Sequence, residues 1–257
     1  MMSEQAAKPR SWLLLRGLGR ETGHWGDFPD KLRAALPPQD RVLLLDLPGN
    51  GALWRERSPL AIAAMTEQIR GALRARGESE RLHLLCLSMG GMVAVDWATR
   101  HPQEIAAVAL CSSSLRGLSP WWQRMRPGAL LRLVGVLLGG DARRREQAVL
   151  ELTSSRRPPE ALPHWLALHA AHPVRRRNLL RQILAAARFR APAARPPVPL
   201  LVLVGAGDRL VHPDCSRRIA AAWDCDFAEH PCAGHDLPLD EPQWLAAQLA
   251  QWAATLP

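Results

Sequence analysis

The sequence predicts an α/β fold: a mostly parallel sheet of about six strands, helices on both faces, and a helical insertion ahead of the last strands. Three observations carry this. Short apolar runs of strand length alternate with longer amphipathic stretches of helical length, the pattern of strand–helix–strand crossovers. No repeat recurs at a fixed period, which sets solenoids and propellers aside. Between residues 113 and 196 the strand signal disappears and only helical patterns remain.

Residues 11–16 read as the first strand, followed by a glycine-containing loop. Residues 27–36 read as a helix stopped by Pro37 and Pro38, which cannot continue it. A second strand at 42–46 ends at the turn Pro48-Gly49-Asn50-Gly51. A helix over 59–76 follows, with Pro59 in its first turn and Gly77 beyond its end. Strands at 82–87 and 105–112 flank a helix at 89–100 that ends before Pro102. Further strands fall at 200–204 and 226–230, and further helices at 213–222 and 244–254. The stretch between carries amphipathic segments at 120–126, 129–138, 142–152 and 174–188. It leaves through Ala191-Pro192-Ala193-Ala194-Arg195-Pro196-Pro197, a stiff linker composition. The organisation expected is a core in two parts, 1–113 and 196–257, interrupted by a helical, arginine-rich lid at 114–195. Such a lid would sit over the carboxyl ends of the strands, where open α/β sheets bind ligands.

A chain of 257 residues with 47% hydrophobic and 22% charged residues can bury a large core without disulfides or metals. The N-terminus is polar, and the apolar run at 12–15 is too short for a signal peptide. The longest apolar stretch, 128–140, is interrupted by Arg132, whereas a membrane span needs roughly 20 apolar residues. A cytoplasmic protein with no transmembrane segment is expected. The five cysteines are odd in number and form no C-x-x-C pair, which argues against a disulfide framework. Cys225, Cys232 and His235 match no zinc spacing, so no metal is expected.

The net charge of +9 is unevenly placed. Residues 115–195 hold 16 arginines, no lysine and 4 acids, a net of +12; the remaining 17 basic and 20 acidic residues leave −3. A solvated basic face, an acidic macromolecular or lipid partner, and nucleic acid are the three readings. The last lacks any recognition motif, and no nucleic acid is expected. In the same segment Leu130, Leu131, Leu133, Val134, Val136, Leu137 and Leu138 are either core packing or the lining of an acyl pocket.

The strongest local signal is Cys86-Leu87-Ser88-Met89-Gly90-Gly91, between a predicted strand and a predicted helix. A serine on so sharp a turn stands clear of the sheet, and small neighbours let the helix turn back closely. A serine before two glycines is also a common helix N-cap. A nucleophile further requires a base, and the base an orienting acid. Asp208 follows the strand at 200–204, and His235 follows the strand at 226–230, both at the carboxyl edge. The position after the fourth strand, a rival place for the acid, reads Ser112-Ser113-Ser114. Asp236 adjoins His235 too closely to reach its far ring face, while His212 and His230 fit surface or structural roles.

Together these residues resemble the α/β-hydrolase superfamily over nearly the whole chain. Leu14-Leu15-Arg16-Gly17-Leu18-Gly19 is similar to its H-G-x-G oxyanion loop, with Arg16 in place of His. Asp46-Leu47-Pro48-Gly49-Asn50-Gly51 is similar to its D-x-P-G-x-G turn. Ser88 with its flanks is similar to the nucleophile elbow, with Cys86 for the first glycine. Gly205-Ala206-Gly207-Asp208 and Gly234-His235 are similar to the acid and base loops. The resemblance implies the α/β-hydrolase fold in a six-stranded form and a catalytic set of Ser88, Asp208 and His235. It implies an oxyanion hole from the backbone N–H groups of Leu18 and Met89, and no cofactor. Trp25, Trp121 and Trp122 are the candidate substrate-binding side chains. The implied reaction is hydrolysis of a carboxylic ester or thioester. Alternatives are a C–C hydrolase or lyase of this fold, or a non-enzymatic binding protein. The basic lid is similar to that of the pimeloyl-carrier-protein methyl ester esterases, which implies an acidic acyl carrier protein as partner.

Overall fold

The computed structural model describes residues 9–139 and 141–256. Most of the polar N-terminal segment, residues 1–8, lies outside them, as do the side chains of Val136, Leu137 and Leu138.

The core begins with β1 (Ser11–Leu15), α1 (Phe28–Ala35), β2 (Arg41–Leu45), α2 (Ile62–Ala75), β3 (Leu82–Leu87), α3 (Met89–Arg100) and β4 (Ile105–Cys111). Five helices follow: α4 (Trp121–Arg124), α5 (Pro127–Gly139), α6 (Ala142–Thr153), α7 (Ala161–Ala171) and α8 (Arg176–Arg188). The core resumes with β5 (Leu200–Gly205), α9 (Asp214–Trp223), β6 (Asp226–His230), α10 (Leu237–Asp240) and α11 (Pro242–Thr255). All six strands pair in parallel in the order β2-β1-β3-β4-β5-β6. Their carboxyl ends therefore share one edge of the sheet.

Successive strand residues point to opposite faces, and both faces are covered. Leu13, Leu15, Leu84, Cys86, Val108 and Val202 pack with α2, α3 and α9. Trp12, Leu14, Leu85, Leu87, Ala109 and Leu203 pack with α1 and α11. This double burial is why β1, β3, β4 and β5 read as continuous apolar runs, whereas the edge strand β6, Asp226–His230, does not. No helix among the described residues is long and apolar enough to cross a membrane. All five cysteines are free thiols.

Three local expectations are corrected. α2 starts at Ile62, leaving Pro59 outside it. Ser58 donates its N–H to Asn178 Oδ1 and its Oγ to Pro48 carbonyl, which holds the chain off the helix until Ala61. α7 has no counterpart among the expected helices. Ala161, Ala167, Ala170 and Ala171 add to Leu162, Trp165, Leu166 and Leu168, so apolar residues lie all round the axis and no amphipathic face stands out. Finally, Leu130, Leu131 and Val134 of α5 are 37%, 74% and 42% exposed, so neither core packing nor an enclosed pocket describes them. α5 is apolar on more faces than its neighbours cover, and Ala129 is its one side chain recorded as buried among the described residues.

Candidate active site

Ser88 links β3 directly to α3 with φ 55° and ψ −114°. A side chain other than glycine rarely adopts this conformation, and it persists only where the surroundings impose it. The surroundings here are specific. Ser88 N–H donates to Cys111 carbonyl at 2.8 Å, and Ser88 carbonyl accepts from Gly91 N–H and from Ser113 Oγ, each at 3.0 Å. α3 also turns back onto the end of β1. A Cβ at Gly90 would lie 2.6 Å from Leu15 carbonyl oxygen and 2.8 Å from that of Arg16. Cys86, where the superfamily pattern has glycine, is fully buried, and burial pushes its thiol above the ordinary range. It behaves there as a small hydrophobe.

Asp208 and His235 sit in the loops after β5 and β6, 1% and 3% exposed. Asp208 Oδ1 accepts from Leu210 and Val211 N–H at 2.8 and 2.9 Å, while Oδ2 bonds His235 Nδ1 at 2.7 Å. The ionised carboxylate can only accept, so Nδ1 is the donor of this bond. The histidine loop is itself anchored by Asp240. Asp240 Oδ2 accepts from Gly234 and Ser155 N–H at 2.7 and 2.8 Å, and its Oδ1 accepts from Ser154 Oγ at 2.5 Å. His230 Nδ1 instead accepts from Ala233 N–H at 3.0 Å, with its ring edge-on to Trp244. His212 Nδ1 accepts from Asp214 N–H at 3.2 Å.

The loop after β1 closes the arrangement. Arg16 forks onto Asp236, its two nitrogens donating at 3.0 and 2.6 Å, and both side chains are almost fully buried. A Cβ at Gly17 would lie 3.1 Å from Ser88 Cβ and 3.6 Å from Ser88 Oγ. The loop thus touches Ser88 through its backbone and clasps the residue after His235 through its side chain. Neither Leu18 N–H nor Met89 N–H donates a hydrogen bond among the described residues, and both lie in segments flanking Ser88. Ser88 Oγ makes no hydrogen bond among the described residues either. His235 and Asp208 are joined directly, and Ser88 stands at the end of β3 on the same edge of the sheet.

The three tryptophans part company. Trp25 is 3% exposed, stacked on Phe28 at 5.7 Å and covered by the Arg16 guanidinium at 4.9 Å. It packs within the core and supports Arg16 from below. Trp121 and Trp122 are 63% and 51% exposed and meet at right angles on α4. α4 abuts the acid loop, since His212 N–H donates to Gln123 carbonyl and Arg126 N–H to Leu210 carbonyl. Sequence reasoning missed Ser113 and Asp240, which brace the serine and histidine turns. Ser113 was visible only as the absence of a carboxylate, and Asp240 gave no signal.

A parallel sheet with a strained serine turn after β3 and a buried Asp–His pair after β5 and β6 defines an α/β hydrolase. The chain belongs to the alpha/beta hydrolase family, whose match covers residues 12–248. It is 30% identical over 220 residues to the pimeloyl-(acyl-carrier protein) methyl ester esterase of Serratia marcescens, covering 83% of this chain and 82% of that protein. It is 28% identical over 266 residues to the biotin biosynthesis bifunctional protein of Cellvibrio japonicus (strain Ueda107). That match covers 95% of this chain but spans only 47% of the longer protein. The enol-lactonase from Burkholderia xenovorans LB400 shares the fold, with a TM-score of 0.79, 23% identity, and coverage of 98% of this chain and 94% of that one.

Proposed function

We propose that this chain hydrolyses a carboxylic ester or thioester through an acyl-enzyme on Ser88. The observation that carries the proposal is the buried 2.7 Å bond between His235 Nδ1 and Asp208 Oδ2, on the sheet edge where Ser88 is held at φ 55°. In this reading Ser88 Oγ attacks the acyl carbonyl while His235 Nε2 takes its proton and delivers it to the leaving group. Asp208 fixes the tautomer and steadies the imidazolium that forms. Water, activated by the same histidine, then releases the acid. The N–H groups of Leu18 and Met89 receive the developing O⁻, each contributing about 3 kcal/mol to the transition state. These steps require no metal or organic cofactor.

The segment 114–195 acts as the lid between the core parts 1–113 and 196–257, and exposed Trp121 and Trp122 offer an acyl chain its first apolar contact. The arginines of the lid fit an acidic acyl carrier protein as the substrate's vehicle, in keeping with the relative in Serratia marcescens. The five free thiols suit the reducing cytoplasm.

A fluorophosphonate probe, which needs an activated serine, should label the wild type and leave Ser88→Ala unlabelled. p-Nitrophenyl esters of graded chain length should be hydrolysed with kcat lower by at least about 1000-fold in Ser88→Ala. Substantial turnover without Ser88 sinks the mechanism, and labelling without turnover on any ester points to the C–C hydrolase alternative.

A further inference from the structure

We infer that Gln182 of α8 positions the oxyanion loop through its bond to Gly19 N–H, so that this one lid side chain helps to complete the catalytic centre. This rests on the hydrolase reading above. Gln182 is fully buried. Its Oε1 accepts from Gly19 N–H at 2.9 Å, in the peptide adjoining Leu18. Its Nε2 donates to Asn50 Oδ1 at 2.8 Å and to Ser58 Oγ at 3.0 Å. Asn50 Nδ2 in turn donates to Arg20 carbonyl at 3.0 Å. One lid amide therefore reaches the loop of residues 16–20 directly at Gly19 and, through Asn50, at Arg20.

The same loop is held at its other points by Arg16 on Asp236 and by Arg20 Nη1 on Glu146 of α6 at 2.5 Å. Between these holds lies Leu18, with its N–H unengaged by the described residues. Gly19 has φ +64°, which favours glycine, and Leu179 of α8 covers it: a Cβ there would lie 2.5 Å from Leu179 Cδ2. An oxyanion donor works only when aimed in advance at the developing charge. Displacing a reacting group by about 1 Å can cost on the order of 100-fold in rate. An apolar side chain at 182 would leave Gly19 N–H, Asn50 and Ser58 without their buried partner, and the loop would shift to satisfy them. The Asp208–His235 pair shares no hydrogen bond with this network among the described residues.

Asn178, one turn earlier on α8, provides the control. It is equally buried, accepts from Ser58 N–H and donates to Glu56 carbonyl at 2.8 Å, so it fastens α8 to the core without touching residues 16–20. The test compares Gln182→Met, Gln182→Asn, Gln182→Glu and Asn178→Ala with wild type. Readouts are thermal stability, kcat and KM on p-nitrophenyl butyrate, and affinity for a trifluoromethyl ketone, whose serine adduct places O⁻ in the hole. Gln182→Met should lower kcat roughly 10- to 100-fold with KM changed less than about 3-fold, and ketone affinity should fall in parallel. Gln182→Asn, too short to reach Gly19 yet still an amide, should do the same, which keeps the test open if the Met variant does not fold. Gln182→Glu keeps an acceptor for Gly19 and should recover part of the loss. Asn178→Ala should lose stability while kcat and ketone affinity stay within about 3-fold. Wild-type kcat and ketone affinity in the Gln182 variants, or an equal loss in Asn178→Ala, would overturn the inference. A wild type that takes no fluorophosphonate label overturns the hydrolase reading and this one with it; normal labelling with unaffected Gln182 variants overturns only this one.

Discussion

Arg16 shows what a single substitution in a motif can rearrange. Where the superfamily usually has histidine, this guanidinium forks onto Asp236 and lies over Trp25, tying the serine side of the site to the histidine side. Removing one member of a buried ion pair leaves the other charge without compensation, at a cost of about 3–5 kcal/mol. Arg16→Ala and Asp236→Ala should each destabilise by that order in urea denaturation, and the double variant by clearly less than their sum. Strict additivity would show that the pair contributes no coupling. At this scale the sequence is legible where the backbone does the placing. Ser88, Asp208 and His235 each follow a strand, so parallel pairing alone sends them to one edge. Arg16 and Asp236, by contrast, are 220 residues apart, and nothing local to either marks the partner.

Among elements, α6 carries a charge that only the fold makes tolerable. Burial pushes the Glu146 carboxyl up, but Arg20 and His169 outweigh burial and hold it at about 2, below the ordinary 4.5. A carboxylate depressed in the folded state stabilises above its unfolded value and loses that contribution as pH falls through its folded one. Its share, roughly 3 kcal/mol at neutral pH, should therefore vanish between about pH 4.5 and 2. Glu104, also held at about 2 mainly by its bonds to Arg70, titrates in the same window, so the comparison must be between variants. Glu146→Gln should be less stable at pH 7 yet lose less stability than wild type on acidification to pH 2, in urea midpoints. Parallel curves would show that Glu146 is not part of the acid response. Double burial makes β1, β3, β4 and β5 continuous apolar runs, readable to within about a residue, while the edge strand β6 was legible from its place between two helices rather than from its composition. The lid helices were less so: α7 lacks a stripe, and α5 has one that the fold leaves open to solvent.

The whole molecule divides its charge, with +12 on residues 115–195 and −3 elsewhere. Arg143, Arg144, Arg176 and Arg177 are exposed, so segment 115–195 presents charge mostly of one sign to solvent. Such a field raises the encounter rate of an anionic partner and fades as salt shortens the screening length, about 8 Å at physiological ionic strength. kcat/KM for an acyl-carrier-bound ester should fall steeply with added salt, while that for a small neutral ester stays nearly flat. Reversing Arg143, Arg144 and Arg145 to Glu should harm only the first; equal salt dependence for both would leave the arginines as mere surface. The position of the lid between β4 and β5 also bears on how the chain could diversify. The entropy of closing a loop grows only with the logarithm of its length, about 0.6 kcal/mol per doubling. Residues 112–199 could thus be lengthened, shortened or exchanged between relatives at small cost to the sheet they interrupt. What limits such exchange is the seam with the core: a grafted segment that brings new pocket walls but no acceptor for Gly19 N–H would inherit the fold and forfeit the rate.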